Sequence, residues 1–309
     1  MARAQGDPTR AAGTVLIGME ARLFGGPDDL KAICALVAAG RASSPSSGYW
    51  HPGEVEWVYC YGSDRRPGTT VWRDAAGLAG WVLIAEDDRS SDSAIRPDLR
   101  GGPAEEALVR HVEAVLGPGP VTTNTWADDE ARVALLSHLG YELAGPAYQT
   151  FTVDLDQDVA VHSPPDGFRL LEVLTDEWVA ERAECHHRAF DPSRMTTEAY
   201  RAFRTCAPGY DPELDVTVVT DDGRVVAYAM AWADAVSGTG QLEPVGSRPH
   251  FWRRGLGQVA VREAMRRLRA RGMTHCSVNT WAGHAGNTAF YESCGFRRAT
   301  TIDRWTRPA

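Results

Sequence analysis

Apolar residues recur at intervals of three and four in a stretch of the chain's second half, with arginines between them. Over residues 255–271 the apolar positions are Leu256, Val259, Ala260, Ala264 and Leu268. This spacing places them on one face of a helix, and Gly272 is suited to end it. The following segment HCSVNTW, at 275–281, is predicted to be a strand.

Two patterns of the chain occur twice. The β-rich run TVWRDAAGLAGW at 70–81 aligns with TVVTDDGRVVAY at 217–228, and each predicts a hairpin. NTWADDEARVALLSHLGY at 124–141 aligns without a gap with NTWAGHAGNTAFYESCGF at 279–296. The offset of that second pair, 279 minus 124 or 155 residues, is half of the 309-residue chain. The sequence therefore predicts two copies of one folding unit.

Each copy is expected to be an α/β domain. The order is helices, a hairpin, a strand, a glycine-rich turn into a helix, a strand, a short helix and a closing strand, which suits helices packed on a mixed sheet. We predict an N-terminal domain at 14–156 and a C-terminal domain at 167–309. The polar, proline-bearing linker is expected at 156–167, and about the first dozen residues are expected to be loose.

Composition is that of a globular chain, with 43% hydrophobic and 24% charged residues. No apolar run is as long as a membrane span and the first residues lack the apolar stretch of a signal peptide, so we expect a cytoplasmic protein without a membrane partner. The net charge of −9 argues against a nucleic-acid partner. The oligomeric state is expected to be a monomer or a homodimer.

The negative charge lies mainly in the first half. Residues 1–155 hold 13 basic and 21 acidic residues, a net charge of 13 − 21 = −8, whereas residues 156–309 hold 19 and 20, a net charge of −1. The second half instead clusters eight arginines between Arg248 and Arg271, with Glu263 as the one acid among them. An acidic first half favours a cationic small-molecule amine as a ligand, although acidic surfaces also serve solubility.

The cysteines and histidines do not suggest a metal. None of the six cysteines lies at zinc-finger spacing from another or beside a histidine at such spacing, and all six are predicted to be reduced, packed thiols. The adjacent pair His186 and His187 has no third ligand nearby, so a surface or helix-end position is favoured.

The run PHFWRRGLGQVAV places Gly255 and Gly257 at the predicted helix start, directly after a strand and beside Arg253 and Arg254. A helix start offers unpaired backbone N–H groups, and glycine lets a bulky anion come close to them. A phosphate or pyrophosphate is therefore the expected ligand, although two glycines alone would more often mark a simple turn.

The first copy has lost these features. Its aligned stretch RPDLRGGPAEEALV has Pro103 in place of Gly255, which removes a donor N–H, and the carboxylates of Glu105 and Glu106 where Gly257 and Gln258 stand. Its Arg132 and Leu136 align with Asn287 and Tyr291 of the second copy, so these two residues are lost together with the glycines. We expect one working site, in the second copy.

The arrangement VGSRPHFWRRGLGQ, an amphipathic helix, a strand and NTAFYESCGF resembles the GNAT superfamily of N-acetyltransferases. The likeness is strong over 215–300 and weaker through the first half, so the whole chain is similar to tandem-GNAT proteins. It implies two tandem GNAT domains, each a mixed, mostly antiparallel twisted sheet flanked by helices, with a degenerate N-terminal domain. Trp252 departs from the family's motif, which usually has Arg or Gln there.

The resemblance also implies the site residues. Acetyl-CoA would be the co-substrate, with its pantetheine arm along Val245, Gly246 and Ser247, whose backbone polarises the thioester carbonyl. Its pyrophosphate would be held by the N–H groups of the loop formed by Arg253, Arg254, Gly255, Leu256, Gly257 and Gln258. Asn287 would contact the pantetheine or adenosine side, and Tyr291 would protonate the departing thiolate.

Each of these assignments has an alternative. An aromatic at position 291 more often packs in a core, but Leu136 in the first copy shows that the fold accepts a plain apolar residue there, which favours the catalytic interpretation. For Asn287 the alternative is the N-cap of the short helix.

Glu243 is the candidate general base. If the strand alternates regularly it shares a face with Gln241 and Val245, and Pro244 fits a locally unpaired strand. A surface carboxylate is the alternative role, and Asp234 and His284 are weaker candidates for the base.

The acceptor cleft is expected along the early helices of the second copy. Its candidate residues, each of which also suits a helix surface or a core, are Glu181, Glu184, His186, Asp191, Tyr200 and Trp232. Two functions remain open: acyl transfer to the primary amine of a small molecule, and a non-catalytic acyl-CoA sensor or scaffold.

Overall fold

The computed structural model describes residues 18–44, 48–61, 68–156, 160 and 162–309. The predicted domain start at residue 14, the loose first dozen residues and part of the predicted linker lie outside the described residues. The strands are β1 (Glu20–Leu23), β2 (Gly68–Asp74), β3 (Gly77–Ala85), β4 (Ser90–Ile95), β5 (Val121–Trp126), β6 (Glu142–Asp154), β7 (Phe168–Leu170), β8 (Asp215–Thr220), β9 (Val225–Asp234), β10 (Thr239–Ser247), β11 (His275–Trp281) and β12 (Arg297–Arg307). The helices are α1 (Pro27–Ser43), α2 (Pro52–Cys60), α3 (Pro103–Leu116), α4 (Glu130–His138), α5 (Val179–Ala189), α6 (Thr197–Cys206), α7 (Leu256–Ala270) and α8 (Ala285–Ser293).

The chain forms two compact units. Among the described residues, the N-terminal unit contains those within 18–50, 68–147 and 302–309, and the C-terminal unit contains those within 51–61 and 148–301. The units therefore exchange short segments across the sequence halves. The boundaries 14–156 and 167–309 describe the two sequence copies and stay a prediction.

In the N-terminal unit the strands follow the order β1-β2-β3-β4-β5, and the end of β12, from Ile302, pairs antiparallel with β5. Among the described strands of this unit, β4 and β5 are the one parallel pair. The core under this sheet contains Trp72, Val82, Leu108 and Leu136, all fully or almost fully buried. The predicted hairpin at 70–81 is present as β2 and β3.

The C-terminal unit repeats this plan. The end of β6, from Tyr148, pairs with β11, and the order continues β11-β10-β9-β8-β7 with only β10 and β11 parallel. The hairpin predicted at 217–228 is formed by β8 and β9, and the strand predicted at 275–281 is β11. The expected mixed, mostly antiparallel sheet with flanking helices is confirmed in both units.

Helix α7 matches its predicted amphipathic pattern. All five predicted apolar positions are buried in the core of the C-terminal unit. Its arginines mostly serve the fold. Arg267 donates to the carbonyls of Leu171, Glu172 and Glu213, and Arg271 pairs with Asp211. The arginines of the cluster that remain for a ligand therefore lie at the start of the helix.

Helix α2 comes from the first half of the sequence but belongs to the C-terminal unit. His51 caps its start and shares a capping box with Glu54. Gly53 packs directly on Trp232, since a Cβ at Gly53 would lie 2.1 Å from the Trp232 Cγ. Further along the helix, the Glu56 carboxylate accepts the Gly209 N–H at 2.7 Å. Helix α2 is thus fixed against β9, next to β10.

The prediction that all six cysteines are reduced is wrong for one pair. Cys60, at the end of α2, forms a disulfide with Cys206, at the end of α6. The two residues are 146 positions apart, so their pairing follows from the packing of α2 and leaves no spacing signal in the sequence. Cys185, Cys276 and Cys294 are buried free thiols.

None of the helices in the described ranges is long and apolar enough to cross a membrane. Within the same ranges there is also no cluster of three or more histidine, cysteine, aspartate or glutamate side chains suited to a metal.

Candidate active site

The two parallel strands of the C-terminal unit separate along their length. β10 pairs with β11 only from Thr239 to Gln241. Beyond Gln241 the described pairing of β10 continues on one edge only, with β9, after a register shift between Leu242 and Val245. β11 remains paired with β6 up to Trp281 on its other edge. A gap with unpaired strand edges therefore opens between β10 and β11.

The register identifies which backbone groups face this gap. The Arg248 N–H donates to the Val226 carbonyl at 2.9 Å, so this pair is hydrogen-bonded across β9 and β10. Antiparallel pairs alternate, so Gly246, opposite Tyr228, is also bonded to β9. The N–H groups of Val245 and Ser247 then point into the gap. Of the three predicted residues, Val245 and Ser247 therefore direct their N–H groups into the gap, whereas the Gly246 N–H is directed toward β9.

The glycine loop lies between the end of β10 and the start of α7. Gly255 caps α7 with φ +77°, a conformation that glycine adopts without strain, and no side chain caps the helix. The first N–H groups of α7, from Leu256 to Gln258, have no intrahelical acceptor. A Cβ at Gly257 would come within 3.1 Å of the Phe290 ring, which leaves little room for a side chain. The helix start therefore presents bare N–H groups, an arrangement that favours an anion.

The side chains of the loop make other contacts. Gln258 donates to the Ser293 hydroxyl at 2.7 Å, Arg254 lies over the Phe251 ring, and the Leu256 side chain is buried in the core. Arg253 is exposed and has φ +62°. The exposed Trp252, where the family usually has Arg or Gln, donates from Nε1 to the Ser247 carbonyl at 3.1 Å. For binding a ligand, the loop therefore offers chiefly its backbone N–H groups.

Tyr291 lies on α8 with its ring in the core, close to the rings of Phe151, Phe290 and Phe296. Its hydroxyl makes no hydrogen bond with the described residues. Burial raises the Tyr291 pKa, and the negative charge of Glu243 raises it further. Tyr291 is therefore a neutral phenol, able to donate a proton, and near enough to Glu243 to sense its charge.

Glu243 lies where β10 leaves β11. Burial raises the pKa of its carboxyl to about 8, with a further contribution from the charge of Glu54 on α2. Its backbone carbonyl accepts the Trp232 Nε1–H at 2.7 Å. The register shift after Leu242 interrupts the regular alternation, so alternation does not place Glu243 on one face with Gln241 and Val245. A carboxyl with a pKa near 8 suits a base that works at neutral to alkaline pH.

The other candidates for the N-cap of α8 and for the general base can now be assigned. Asn287 is not the N-cap of α8, because His284 is: its Nδ1 accepts the Asn287 N–H at 3.1 Å. The Asn287 side chain donates to the Thr280 hydroxyl. Asp234 accepts the Val236 N–H and the Ser237 hydroxyl within the turn after β9. Glu243 therefore remains the candidate base.

Three of the predicted acceptor residues have partners within the C-terminal unit. Glu181 accepts from Arg248, Glu184 pairs with Arg188 on the surface, and Tyr200 donates to Asp215. Sequence reasoning missed Glu54, because its proximity to Glu243 arises from the packing of α2 against Trp232 and leaves no local pattern. It also missed Tyr228, the partner of His186.

In the N-terminal unit, charged side chains occupy the loop that corresponds to the glycine loop. The Glu105 carboxylate, at the position of Gly257, accepts the Gly101 N–H at 2.7 Å and pairs with Arg132 at 3.0 Å. Arg132 stands at the position of Asn287, and both members of the pair are buried. Leu136, at the position of Tyr291, is fully buried in the core. This unit therefore has an internal ion pair at the place where the other unit has bare N–H groups.

Comparison with known proteins agrees with this geometry. Residues 170–296 match the Acetyltransferase (GNAT) family. The chain contains a GNAT acetyltransferase domain. This match identifies the chain as an acyltransferase. The matched range includes the strand gap, the glycine loop and Tyr291.

Similar proteins cover more of the chain than this domain. A mycothiol acetyltransferase of Pseudarthrobacter chlorophenolicus is 24% identical over 77% of this chain and 76% of its own length. A second, from Beutenbergia cavernae, is 31% identical over 53% of this chain and 56% of its own. The crystal structure of a tandem GNAT protein from the clavulanic acid biosynthesis pathway is 16% identical, with a TM-score of 0.64 over 94% of this chain and 98% of its own. The expected tandem GNAT architecture is thereby confirmed.

Proposed function

We propose that the C-terminal unit transfers an acetyl or other short acyl group from acetyl-CoA to the primary amine of a small molecule. The observation that carries this proposal is the gap that opens between β10 and β11 beyond Gln241, in the same unit as the bare N–H groups of α7. A gap edged by unpaired backbone groups suits the amides of a pantetheine arm, and the helix start suits its pyrophosphate.

Residues on the gap supply the steps of direct attack. Glu243 takes a proton from the ammonium form of the acceptor, directly or through water, and the free amine attacks the thioester carbon. The N–H group of Val245 or Ser247 stabilises the resulting oxyanion. The C–S bond then breaks, and Tyr291 donates its proton to the thiolate. The second proton of the attacking nitrogen returns to the Tyr291 oxygen, and Glu243 releases its proton to water. The products are an amide, free coenzyme A and one proton.

The charges near the base favour a cationic acceptor. Glu54 and Glu243 bring two carboxyl groups close enough to interact. An ammonium group between them would offset their repulsion. The two relatives are named for mycothiol, which agrees with a small-molecule acceptor. The location in the cytoplasm and the monomeric or dimeric state stay predictions.

A panel of small amines tests this function. The purified protein is incubated with acetyl-CoA and each amine, and free thiol is measured over time. Acyl transfer predicts thiol release that depends on one class of amine, together with formation of its amide. Binding of acetyl-CoA without thiol release for any amine class would favour the alternative, a non-catalytic acyl-CoA sensor or scaffold.

The filled loop of the N-terminal unit predicts that one chain binds about one coenzyme A. In that unit the Glu105 carboxylate, paired with Arg132 at 3.0 Å, already occupies the position where a pyrophosphate would bind. Gly257→Glu copies this carboxylate into the C-terminal unit and should weaken binding at least about 100-fold, since like charges at short range repel by a few kcal/mol. Calorimetry gives both the stoichiometry and the affinity.

Gly257→Ala separates charge from size in this experiment. Its Cβ meets the Phe290 ring at 3.1 Å but adds no charge, so we expect a smaller loss of affinity than for Gly257→Glu. A stoichiometry near two for the wild type, or equal losses for both variants, would contradict the prediction.

A further inference from the structure

We propose that Tyr228 and His186 are positioning residues for acyl transfer, which hold the β10 backbone so that its N–H groups meet the thioester oxygen. The inference rests on the proposed function and assigns a role to two residues that touch neither substrate. Three sets of contacts carry it: a cross-strand pair, one face of α5 and a buried hydrogen bond.

Tyr228 and Gly246 are opposite each other in β9 and β10. Opposed residues project on the same side of a sheet, so the Tyr228 side chain lies over the place where Gly246 has none. A Cβ at Gly246 would lie 2.7 Å from the Tyr228 hydroxyl oxygen and 2.9 Å from the Ala189 Cβ. The fully buried Tyr228 ring and the end of α5 therefore press directly on the Gly246 backbone.

One face of α5 holds Tyr228 in place. Arg182, His186 and Ala189 are spaced four and three residues apart, so they share that face. Arg182 lies 3.3 Å from the centre of the Tyr228 ring and pairs with the buried Asp215 at 2.9 Å. A fully buried charged pair is costly unless its geometry is well kept, so this contact resists displacement of the ring.

A hydrogen bond between the Tyr228 hydroxyl and the His186 Nδ1, 2.7 Å long, completes the arrangement. Burial, together with the charges of Arg182 and His187, lowers the His186 pKa to about 3, so the ring stays neutral during the reaction. The bond therefore orients the Tyr228 hydroxyl without moving a proton. Because Gly246 lies between Val245 and Ser247, a shift of Tyr228 moves the N–H groups that face the gap.

The test reads carbonyl polarisation and turnover in Tyr228→Phe. With acetyl-CoA labelled with carbon-13 at the carbonyl, infrared difference spectra should show a lowered C=O stretching frequency on binding to the wild type. In Tyr228→Phe we expect a smaller shift and a kcat about ten-fold lower, since small displacements in a site cost this much, with an unchanged Kd for acetyl-CoA.

His186 variants test the bond itself. His186→Asn keeps a polar group near Nδ1 and should restore kcat to within about three-fold of wild type, whereas His186→Phe keeps a ring, loses the bond and should behave like Tyr228→Phe. If Tyr228→Phe does not fold, this pair still decides the question. His111→Phe is the matched control: this buried histidine of the N-terminal unit contacts the Thr70 hydroxyl at 3.2 Å, and its loss should lower Tm only.

The two possible failures are distinguishable. No frequency shift and no binding for the wild type would overturn the proposed function, and the inference with it. A wild-type shift that persists unchanged in Tyr228→Phe and His186→Phe, with wild-type kcat, would overturn only the positioning role.

Discussion

Tyr291→Phe should lower kcat for amine acetylation by about 100-fold or more, because a positioned general acid contributes at least this factor. The substitution removes only the hydroxyl, and the ring keeps its contacts with Phe151, Phe290 and Phe296. The Tyr291 hydroxyl makes no hydrogen bond with the described residues, so its loss should leave the fold unchanged. The Kd for acetyl-CoA should therefore stay within about two-fold of the wild-type value. Steady-state kinetics and calorimetry measure the two quantities.

Tyr141→Phe is the matched control for Tyr291→Phe. Tyr141 is also buried, and burial likewise raises its pKa, but it lies in the N-terminal unit. We expect its kcat to equal that of the wild type. Wild-type turnover in Tyr291→Phe would show that another group protonates the thiolate, and it would leave Tyr291 as a core residue like Leu136 in the first copy.

Changing the acyl donor gives a second test of the role of Tyr291. Thiols with a low pKa leave without a proton, so an acetyl thioester of an acidic thiol should lose less rate in Tyr291→Phe than acetyl-CoA does. An equal loss with both donors would argue that the missing hydroxyl acts on packing and not on the leaving group.

The fold was largely predictable because its signals are local and repeated. The apolar spacing in α7 and the two hairpins depend on residues close in sequence, and the second copy gave each prediction an independent check. The first copy also shows what the fold alone accepts at two site positions: Leu136 and Arg132 are buried there, where the second copy has Tyr291 and Asn287.

What the sequence did not reveal depends on contacts between distant segments. Cys60 meets Cys206, and Glu54 approaches Glu243, only because α2 packs on Trp232. The register shift between Leu242 and Val245 changes which strand groups face the gap. Pro244 predicted an interruption of the pairing there, but not which N–H groups it would turn toward the gap. His284 caps α8 although asparagine is the commoner cap, so Asn287 was a reasonable but wrong candidate for that position.

Glu243→Gln should remove most of the pH dependence of turnover. A base with a pKa of about 8 is mainly protonated at pH 6 and mainly ionised at pH 9. The wild-type kcat should therefore rise about ten-fold per pH unit below the pKa and level off above it. Glu243→Gln should be nearly flat with pH and about 100-fold slower at pH 9, while both proteins converge at pH 6.

The free energy of unfolding of the wild type should change with pH in the opposite sense to kcat. Since the folded-state pKa of Glu243 is raised above that of an unfolded glutamate, burial of the neutral acid carries no penalty at low pH, and the fold loses stability as pH rises through about 8. Glu243→Gln, which stays neutral, should lack this loss. Denaturant unfolding of both proteins at pH 6 and pH 9 measures the difference.

Glu54→Gln tests how much the Glu54 charge contributes to the raised pKa of Glu243. Removing the Glu54 charge takes away the second contribution to the Glu243 pKa, so the rise in kcat should move to lower pH while burial keeps it above the ordinary value for glutamate. Reading the pKa from kcat separates this effect from weaker acceptor binding, which changes KM. A pH profile that does not move in Glu54→Gln, or a wild-type slope retained in Glu243→Gln, would place the catalytic base on another residue.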